Sequence, residues 1–312
     1  MGTQILHVRA PAKVNLYLDV LGKRRDGYHE IRTVMQSLSL SDQLTIAAVK
    51  DDNTEKDVIR LGVNQHKINE NLSEVGEKNL VVQAVQMLRA HYHIPPVEII
   101  LDKRIPIAAG LGGGSADAAA ALRGINQLFH LDISHAHMEW MAAQLGLDVP
   151  FCLKGGTVLA QGKGEQLTPL TPLSHCTFLL VQPNVTIHTG TVYQGLNLPR
   201  ENTFLSTSND EAQFNQLISG IDKGDLYQMA AGMYNRMEEV IFNWYKALAG
   251  IKAEINKAGA LKSLMSGSGA VIYGIFDNLE YAQQAQKILN RHNHKTYLAF
   301  PDRGEVKNGN GV

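Results

Sequence analysis

The sequence predicts an α+β protein of two domains. Strand-like and helix-like patterns alternate along 312 residues, a length that ordinarily divides into two domains. Apolar residues make up 44% of the chain and charged residues 19%, which supplies a packed core and excludes a disordered chain. The boundary is weakly marked in the sequence. We place it so that residues 1–170 form the first domain and residues 171–312 the second.

The charge balance excludes several function classes. There are 29 Lys and Arg against 30 Asp and Glu, so nothing global attracts nucleic acid or an anionic membrane. No apolar run is long enough for a spanning helix. The two cysteines, Cys152 and Cys176, are too few for a disulfide scaffold. We therefore expect a reduced, cytoplasmic protein, with no nucleic-acid, membrane or protein partner evident.

The chain begins with a predicted β-hairpin. Residues 12–20 alternate apolar and polar side chains, which predicts a half-buried strand. Residues 24–27 form a turn signal, and residues 28–40 read as the returning strand. The polar face of the first strand carries Lys13, Asn15, Tyr17 and Asp19. The polar groups on this face could therefore take part in catalysis or in ligand binding.

The remaining elements are predicted from the spacing of apolar residues and from the Gly and Pro residues that end helices and strands. Proline disfavours the α conformation in the residue before it, so Leu147–Pro150 is predicted to be extended. The other predicted elements are a weak strand with an exposed loop at 50–78, helices at 79–91, from Ser115, at 137–145, over most of 211–260 and at 279–291, strands at 97–101, 157–160, 178–182 and 270–276, and a frayed tail after Arg303.

A glycine-rich run at residues 110–115 precedes an alanine-rich run, so a loop is predicted to enter a helix at Ser115. Such a loop offers unpaired backbone N–H groups and the positive end of the helix dipole to a phosphate. Ser115 and Ala116 fit neither the P-loop nor the dinucleotide-binding glycine pattern. The loop therefore predicts a triphosphate site of another kind, with a tight structural connection as the alternative.

Two charged residues are candidates for phosphoryl transfer. Asp148 could accept the proton of an attacking hydroxyl, and Lys13 could stabilise charge on the transferred group. Taken alone, the aspartate could be only a turn former and the lysine only a solvated strand residue. Residues 266–269 (Ser-Gly-Ser-Gly) are either a turn or a second small-residue loop that brings backbone to a ligand.

Tyr28 and His29, after the predicted turn, could bind a flat ligand through ring stacking and a polar edge, or be ordinary strand residues. The twelve histidines show no metal-ligand spacing, since His91/His93 and His135/His137 would point apart on a helix. The sequence leaves any metal ligands unknown.

Three segments resemble, in this order, the galacto-, homoserine, mevalonate and phosphomevalonate (GHMP) kinase superfamily. They are residues 11–15 (Pro-Ala-Lys-Val-Asn), residues 106–116 and residues 266–270. The blocks at residues 12–31 and 145–151 are similar to members that phosphorylate a cytidine diphosphate-linked methylerythritol in the non-mevalonate isoprenoid route. The resemblance implies an N-terminal nucleotide-binding domain, a ferredoxin-like C-terminal domain, and the use of ATP with Mg²⁺.

The resemblance also implies roles for individual residues. Lys13 and Asp148 match the catalytic pair, with Asp148 as the base toward a tertiary hydroxyl, and Asn79 matches a position that helps to hold adenine. The residues that match the ATP phosphate loop are Pro106, Ile107, Ala108, Ala109, Gly110, Leu111, Gly112, Gly113, Gly114, Ser115 and Ala116. The residues that match substrate positions are Asn15, Tyr28, His29 and Tyr193, the two tyrosines lying over the cytosine and His29 reading its edge.

Two alternative functions are weighed against this one. A sister kinase for a sugar or homoserine would be favoured if the Tyr28-His29 pair were absent. A nucleotide sensor on the same fold would have no need of a base, so the presence of both Lys13 and Asp148 argues against it.

Overall fold

The computed structural model describes residues 4–49, 58–63, 66–67, 76, 78–196, 198 and 208–304, and the structural statements below refer to these residues. Two short strands fall in the segment that the sequence predicts as a weak strand with a loop. The rest of that loop, and the tail from residue 305 onward, lie outside the described residues.

The secondary structure mixes strands and helices throughout, as predicted. The strands are β1 (Ile5–Lys23), β2 (His29–Ala48), β3 (Val58–Val63), β4 (His66–Lys67), β5 (Val97–Lys103), β6 (Thr157–Gly162), β7 (Gln166–Pro169), β8 (Thr177–Gln182), β9 (Tyr234–Asn235), β10 (Lys262–Met265), β11 (Ile272–Phe276) and β12 (Lys295–Ala299). The helices are α1 (Leu80–His91), α2 (Gly113–Phe129), α3 (His135–Leu145), α4 (Val149–Lys154), α5 (Thr189–Gly195), α6 (Ser208–Lys223), α7 (Leu226–Gly232), α8 (Glu238–Trp244), α9 (Lys246–Lys257) and α10 (Leu279–Arg291).

The chain forms two compact units, and neither is one continuous stretch. The first unit comprises Met1–Ala12, Ser41–Pro106 and Gly112–Leu153. The second comprises Lys13–Leu40, Ile107–Leu111 and Lys154–Val312. The domain boundary after residue 170 stays a prediction.

In the first unit, helices cover a sheet with the strand order β4-β3-β5-β2-β1. The later part of β2 pairs antiparallel with β5, Gln43 lying opposite Asp102, and β3 pairs with β5 in parallel. Helices α1, α2 and α3 pack against one another. The alanines of α2 are buried, and their small side chains allow neighbouring elements to approach the helix closely.

In the second unit, the later part of β1 pairs in parallel with β9, and the earlier part of β2 pairs antiparallel with β6. A separate antiparallel sheet has the strand order β10-β11-β8-β12. Helices lie between β8 and β10 and between β11 and β12 along the chain. This β-α-β-β-α-β arrangement is the ferredoxin-like one, so that part of the fold prediction is confirmed.

Two local predictions are wrong. Leu147–Pro150 is not an extended exit, because α4 begins at Val149. Pro150 occupies the first turn of that helix, where its missing N–H group has no intrahelical partner to lose. The first strand is buried on both faces rather than one. Its polar face is covered within the second unit, where Phe214 packs edge-on against Tyr17 and Arg236 pairs with Asp19.

No helix among the described residues has the length and apolarity needed to cross a membrane.

Candidate active site

The glycine loop enters α2 two residues earlier than predicted. Gly112 caps the helix in a left-handed conformation, with φ of +69°, and α2 begins at Gly113. The first helical hydrogen bond runs from Ala116 N to Gly112 O at 2.9 Å. A helix of this kind leaves the N–H groups of its first residues without intrahelical acceptors and presents the positive end of its dipole. The loop therefore has the backbone arrangement that binds phosphate groups.

The second small-residue loop packs against the first part of this glycine loop. Ser266 Oγ donates a hydrogen bond to Gly110 O at 2.8 Å, and Val271 N donates to Ala109 O at 3.2 Å. Gly110 has φ of +77°, and a Cβ atom there would lie 2.1 Å from Ser266 O. Only glycine fits both the conformation and the space. Residues 266–269 therefore support the backbone of the phosphate loop, and their contact with a ligand stays a prediction.

Lys13 lies on β1 beside the same loop. Its backbone N–H donates to Leu111 O at 2.9 Å, and only 5% of the residue is exposed. Its ammonium donates to Asn15 Oδ1 at 2.7 Å. Asn15 Nδ2 in turn donates to Thr33 Oγ1 at 2.8 Å. Two of the predicted site residues, Lys13 and Asn15, are therefore in direct contact.

A buried ion cluster underlies the first turn of α2. Lys103 donates hydrogen bonds to Asp42 and to Asp117, which lies on α2. A Cβ atom at Gly113 would be 3.3 Å from Lys103 Nζ, so the ammonium lies directly against the start of the helix. Asp42 also accepts from the backbone N–H groups of Arg104 and Ile105. This carboxylate therefore holds the chain that leads into the phosphate loop.

Asp117 is the member of this cluster that is expected to retain a proton. Burial, more than the repulsion from Asp42, raises its pKa to about 8, against the opposing attraction of Lys103. One ammonium faces two carboxylates, and one oxygen of Asp117 has no hydrogen-bond partner. Burial alone would lower the pKa of Lys103, but the two aspartates raise it, so the lysine stays charged.

We expect this proton to make stability depend on pH. Because the folded-state pKa of Asp117 lies above its unfolded value, its contribution is fully present below about pH 4 and is lost as pH rises through about 8. The free energy of unfolding of the wild type should therefore fall more steeply than that of Asp117→Asn between pH 5 and 9, as measured by urea denaturation. Asp102→Asn, a control whose side chain is 25% exposed and paired with Arg104, should follow the slope of the wild type. Parallel curves for wild type and Asp117→Asn would contradict the assignment.

The other catalytic candidate lies in the first unit. Asp148 is partly exposed in the turn between α3 and α4, and its carbonyl oxygen accepts the first hydrogen bond of α4, from Cys152 N at 3.0 Å. Asn79 is the N-cap of α1, since its Oδ1 accepts from Val81 N at 2.8 Å. The side-chain oxygen of Asn79 is thus engaged in capping, and its NH₂ group takes no part in the cap.

The residues that are predicted to bind cytosine all belong to the second unit. Tyr28 is 48% exposed, and Lys163 Nζ lies 4.7 Å from the centre of its ring. The rings of His29 and Tyr193 stack, with centres 4.5 Å apart and planes 19° apart. Partial burial, with a smaller effect of Lys23, lowers the pKa of His29, so the imidazole is neutral at neutral pH. A neutral ring can donate and accept hydrogen bonds at once.

Comparisons with known proteins match two segments of the chain to family models and nearly the whole chain to named relatives. The family described as "GHMP kinases N terminal domain" matches residues 79–156, and that described as "GHMP kinases C terminal" matches residues 217–295. A protein of Thermoanaerobacter pseudethanolicus named 4-diphosphocytidyl-2-C-methyl-D-erythritol kinase is 39% identical over 91% of this chain and 92% of its own. One of the same name from Acetivibrio thermocellus is 40% identical over 94% of this chain and 98% of its own.

The chain belongs to the GHMP kinase family. It is accordingly a small-molecule kinase that uses ATP. A crystal structure titled as 4-(cytidine 5'-diphospho)-2C-methyl-D-erythritol kinase is similar to it, with a TM-score of 0.76 and 29% identity over 96% of this chain and all of the other. A homoserine kinase from Cytophaga hutchinsonii shares the fold, with a TM-score of 0.71 and 19% identity over 96% of each chain.

Several residues that organise this candidate site were not predicted from the sequence. They are Thr33, Asp42, Lys103, Asp117 and Asn235. Asn235 is 1% exposed and donates to the carbonyl oxygens of Met265 and Gly267 at 2.7 and 2.8 Å, so it holds the second loop. None of these residues lies in a motif. Thr33, for example, is one of several polar residues in the strand predicted at residues 28–40, and nothing in the sequence distinguishes it from the others.

Proposed function

We propose that this kinase transfers the γ-phosphoryl group of ATP to the tertiary 2-hydroxyl of 4-diphosphocytidyl-2-C-methyl-D-erythritol, in the non-mevalonate route to isoprenoid precursors. The observation that carries the proposal is the name shared by relatives that are about 40% identical over nearly the whole chain. The exposed Tyr28 beside His29 supports a pyrimidine ligand. The free thiols of Cys152 and Cys176 support the reducing cytoplasm as its compartment.

In this proposal, Asp148 is the general base. It accepts the proton of the tertiary hydroxyl while the hydroxyl oxygen forms a bond to the γ-phosphorus. The bond between that phosphorus and the β–γ bridging oxygen breaks, and ADP leaves with the electron pair. Lys13 stabilises the charge on the transferred group, and its hydrogen bond to Asn15 supports this role because it holds the ammonium in one place.

The nucleotide is assigned to the glycine loop. The N–H groups at the start of α2 would bind the phosphates, and the amide of Asn79 would help to hold adenine. Among the described residues, no group of three His, Cys, Asp or Glu side chains could form a metal site. Mg²⁺ ordinarily binds through few protein carboxylates together with substrate phosphates. We therefore assign Mg²⁺ to the ATP that the loop binds, where it would neutralise phosphate charge.

The cytidine end of the substrate is assigned to Tyr28, His29 and Tyr193. Lys163 covers one face of the Tyr28 ring, so the opposite face is the one assigned to the base. Stacking of His29 on Tyr193 supports a flat aromatic pocket at this position. In the complex, the two tyrosines would stack on cytosine, and the neutral His29 would read its edge.

We expect substitutions here to affect one substrate selectively. Loss of a base–aromatic stack costs roughly 1–3 kcal/mol, so Tyr28→Ala should raise KM for the cytidine substrate about 5- to 150-fold and leave KM for ATP nearly unchanged. Tyr28→Phe should be nearly silent, because the ring remains. His29→Ala should raise the same KM and narrow any preference for cytosine over uracil, because unpaired polar groups in a pocket penalise the wrong ligand. Steady-state kinetics with each substrate varied would measure these effects.

Tyr281→Ala is the matched control, since Tyr281 is an exposed tyrosine on α10, and it should change neither KM. Equal losses for ATP and for the cytidine substrate in Tyr28→Ala and His29→Ala would remove these residues from the base pocket and favour a sister kinase.

The proposed function is tested by ADP release with ATP and four acceptors: 4-diphosphocytidyl-2-C-methyl-D-erythritol, galactose, homoserine and mevalonate. The proposal requires rapid release with the first acceptor and only background release with the others. Comparable or faster release with galactose, homoserine or mevalonate would overturn it.

A further inference from the structure

A chain of three buried hydrogen bonds runs from β2 to the Lys13 ammonium. Thr33 Oγ1 donates to Tyr17 O at 2.6 Å, Asn15 Nδ2 donates to Thr33 Oγ1 at 2.8 Å, and Lys13 Nζ donates to Asn15 Oδ1 at 2.7 Å. Thr33 is 2% exposed, Asn15 is 3% exposed and Lys13 is 5% exposed. All four residues belong to the second unit, so the chain lies within one compact body.

The chemistry of the groups fixes the direction of every bond in this chain. A carbonyl oxygen can only accept, so the single hydroxyl hydrogen of Thr33 must point at Tyr17 O. Toward Asn15 the hydroxyl can therefore only accept, and Asn15 must present its NH₂ group to Thr33. The amide oxygen of Asn15 then faces Lys13, whose ammonium can only donate. An asparagine amide is commonly ambiguous in orientation, but here the threonine decides it.

Gly267 lies against the Lys13 end of this series of hydrogen bonds, which we call the relay. A Cβ atom at Gly267 would lie 3.4 Å from Lys13 Nζ and 3.5 Å from Asn15 Oδ1, so the backbone of the second loop lies against the lysine–asparagine pair. Asn235 holds the carbonyl oxygen of Gly267 at 2.8 Å. The Lys13 ammonium is therefore hydrogen-bonded to Asn15 and contacts the backbone of Gly267, which Asn235 holds in place.

We infer that Thr33 is a positioning residue for phosphoryl transfer: through Asn15 it sets where the Lys13 ammonium lies. This inference rests on the proposed role of Lys13. Without the Thr33 hydroxyl, the NH₂ group of Asn15 would be left buried without its acceptor. The amide would then shift to find another acceptor, and the ammonium that is hydrogen-bonded to its oxygen would shift with it. Displacements of about 1 Å in a catalytic group can cost about 10²-fold in rate.

Thr33→Val tests the kinetic consequence, because valine keeps the shape and removes the hydroxyl. We expect kcat to fall about 10- to 100-fold, with KM for ATP changed less than about twofold. Thr33→Ser keeps the hydroxyl and should restore kcat to within about threefold of the wild type. In a Lys13→Met background, Thr33→Val should cause no further loss of kcat, because the group that it positions is gone. A merely structural threonine would give the same loss in both backgrounds.

Thr157→Val is the matched control. Thr157 is also a buried threonine of the second unit, and its hydroxyl also donates and accepts, to Gln36 at 2.6 Å and from Leu173 N at 3.1 Å. The same chemical change there should lower stability but leave kcat per folded molecule within about twofold. The inference is overturned if Thr33→Val keeps more than half of the wild-type kcat, or if both valine variants lose kcat equally.

A second measurement does not depend on the substrate. The ¹⁵N–¹H signal of the buried Lys13 ammonium, assigned by its loss in Lys13→Met, should shift or broaden in Thr33→Val, return in Thr33→Ser and remain unchanged in Thr157→Val. An unchanged signal in Thr33→Val would overturn the inference even in an active kinase. A changed signal in a protein that does not phosphorylate the cytidine substrate would leave the relay standing and overturn only the proposed function.

Discussion

Asp148→Asn is expected to lower kcat by about 10²–10⁴-fold, the usual loss when a general base is removed. Asparagine keeps the shape of the side chain but does not accept a proton at neutral pH. The backbone role of residue 148 at the start of α4 is unaffected, because Cys152 N bonds to its carbonyl oxygen. Binding of ATP and of the cytidine substrate, measured by calorimetry, should therefore persist while turnover collapses.

Glu139→Gln is the control for this experiment. Glu139 is an exposed carboxylate on α3 that lies 3.5 Å from His135, and its loss should not affect turnover. If Asp148→Asn keeps more than about a third of the wild-type kcat, Asp148 is not the base.

Lys13→Met should give the second large loss, about 10²–10³-fold in kcat, because removing one group that stabilises developing charge costs about that much. Methionine keeps most of the length of the lysine side chain but not its charge. Substrate binding should be reduced far less than kcat. Steady-state kinetics, with calorimetry for ATP, would separate the two effects.

Lys287→Met, which removes an exposed ammonium on α10, is the matched control and should behave as the wild type. If Lys13→Met were as active as Lys287→Met, the ammonium would have no part in the transfer step.

The parts of the site that could be predicted are those whose chemistry is local in the chain. The glycine loop at residues 110–115 could be recognised because glycine is costly in a helix and alanine is the best helix former. The structure then moves the helix start only from Ser115 to Gly113. The first hairpin strand was also recognisable from alternation, and β2 extends beyond its predicted end because residues 43–48 pair with β5.

The parts that could not be predicted depend on contacts between distant positions. Asp42 and Lys103 are 61 residues apart, and each alone looks like a surface charge. The polar face of β1 is buried by residues that are about 200 positions further along the chain, since Phe214 packs on Tyr17 and Arg236 pairs with Asp19. Pro150 shows a different limit. A proline disfavours helix before it but is well tolerated in a first turn, and the sequence alone does not say which effect prevails.

The most direct test of the central claim is the structure of the product. The protein should be incubated with ATP, Mg²⁺ and 4-diphosphocytidyl-2-C-methyl-D-erythritol, and the product should be analysed by ³¹P and ¹³C NMR. Our account predicts one new phosphomonoester, formed in equal amount to ADP, whose phosphorus couples to the quaternary carbon and to its methyl group. A phosphate on a primary or secondary hydroxyl, or ADP formed without any phosphorylated cytidine product, would contradict it.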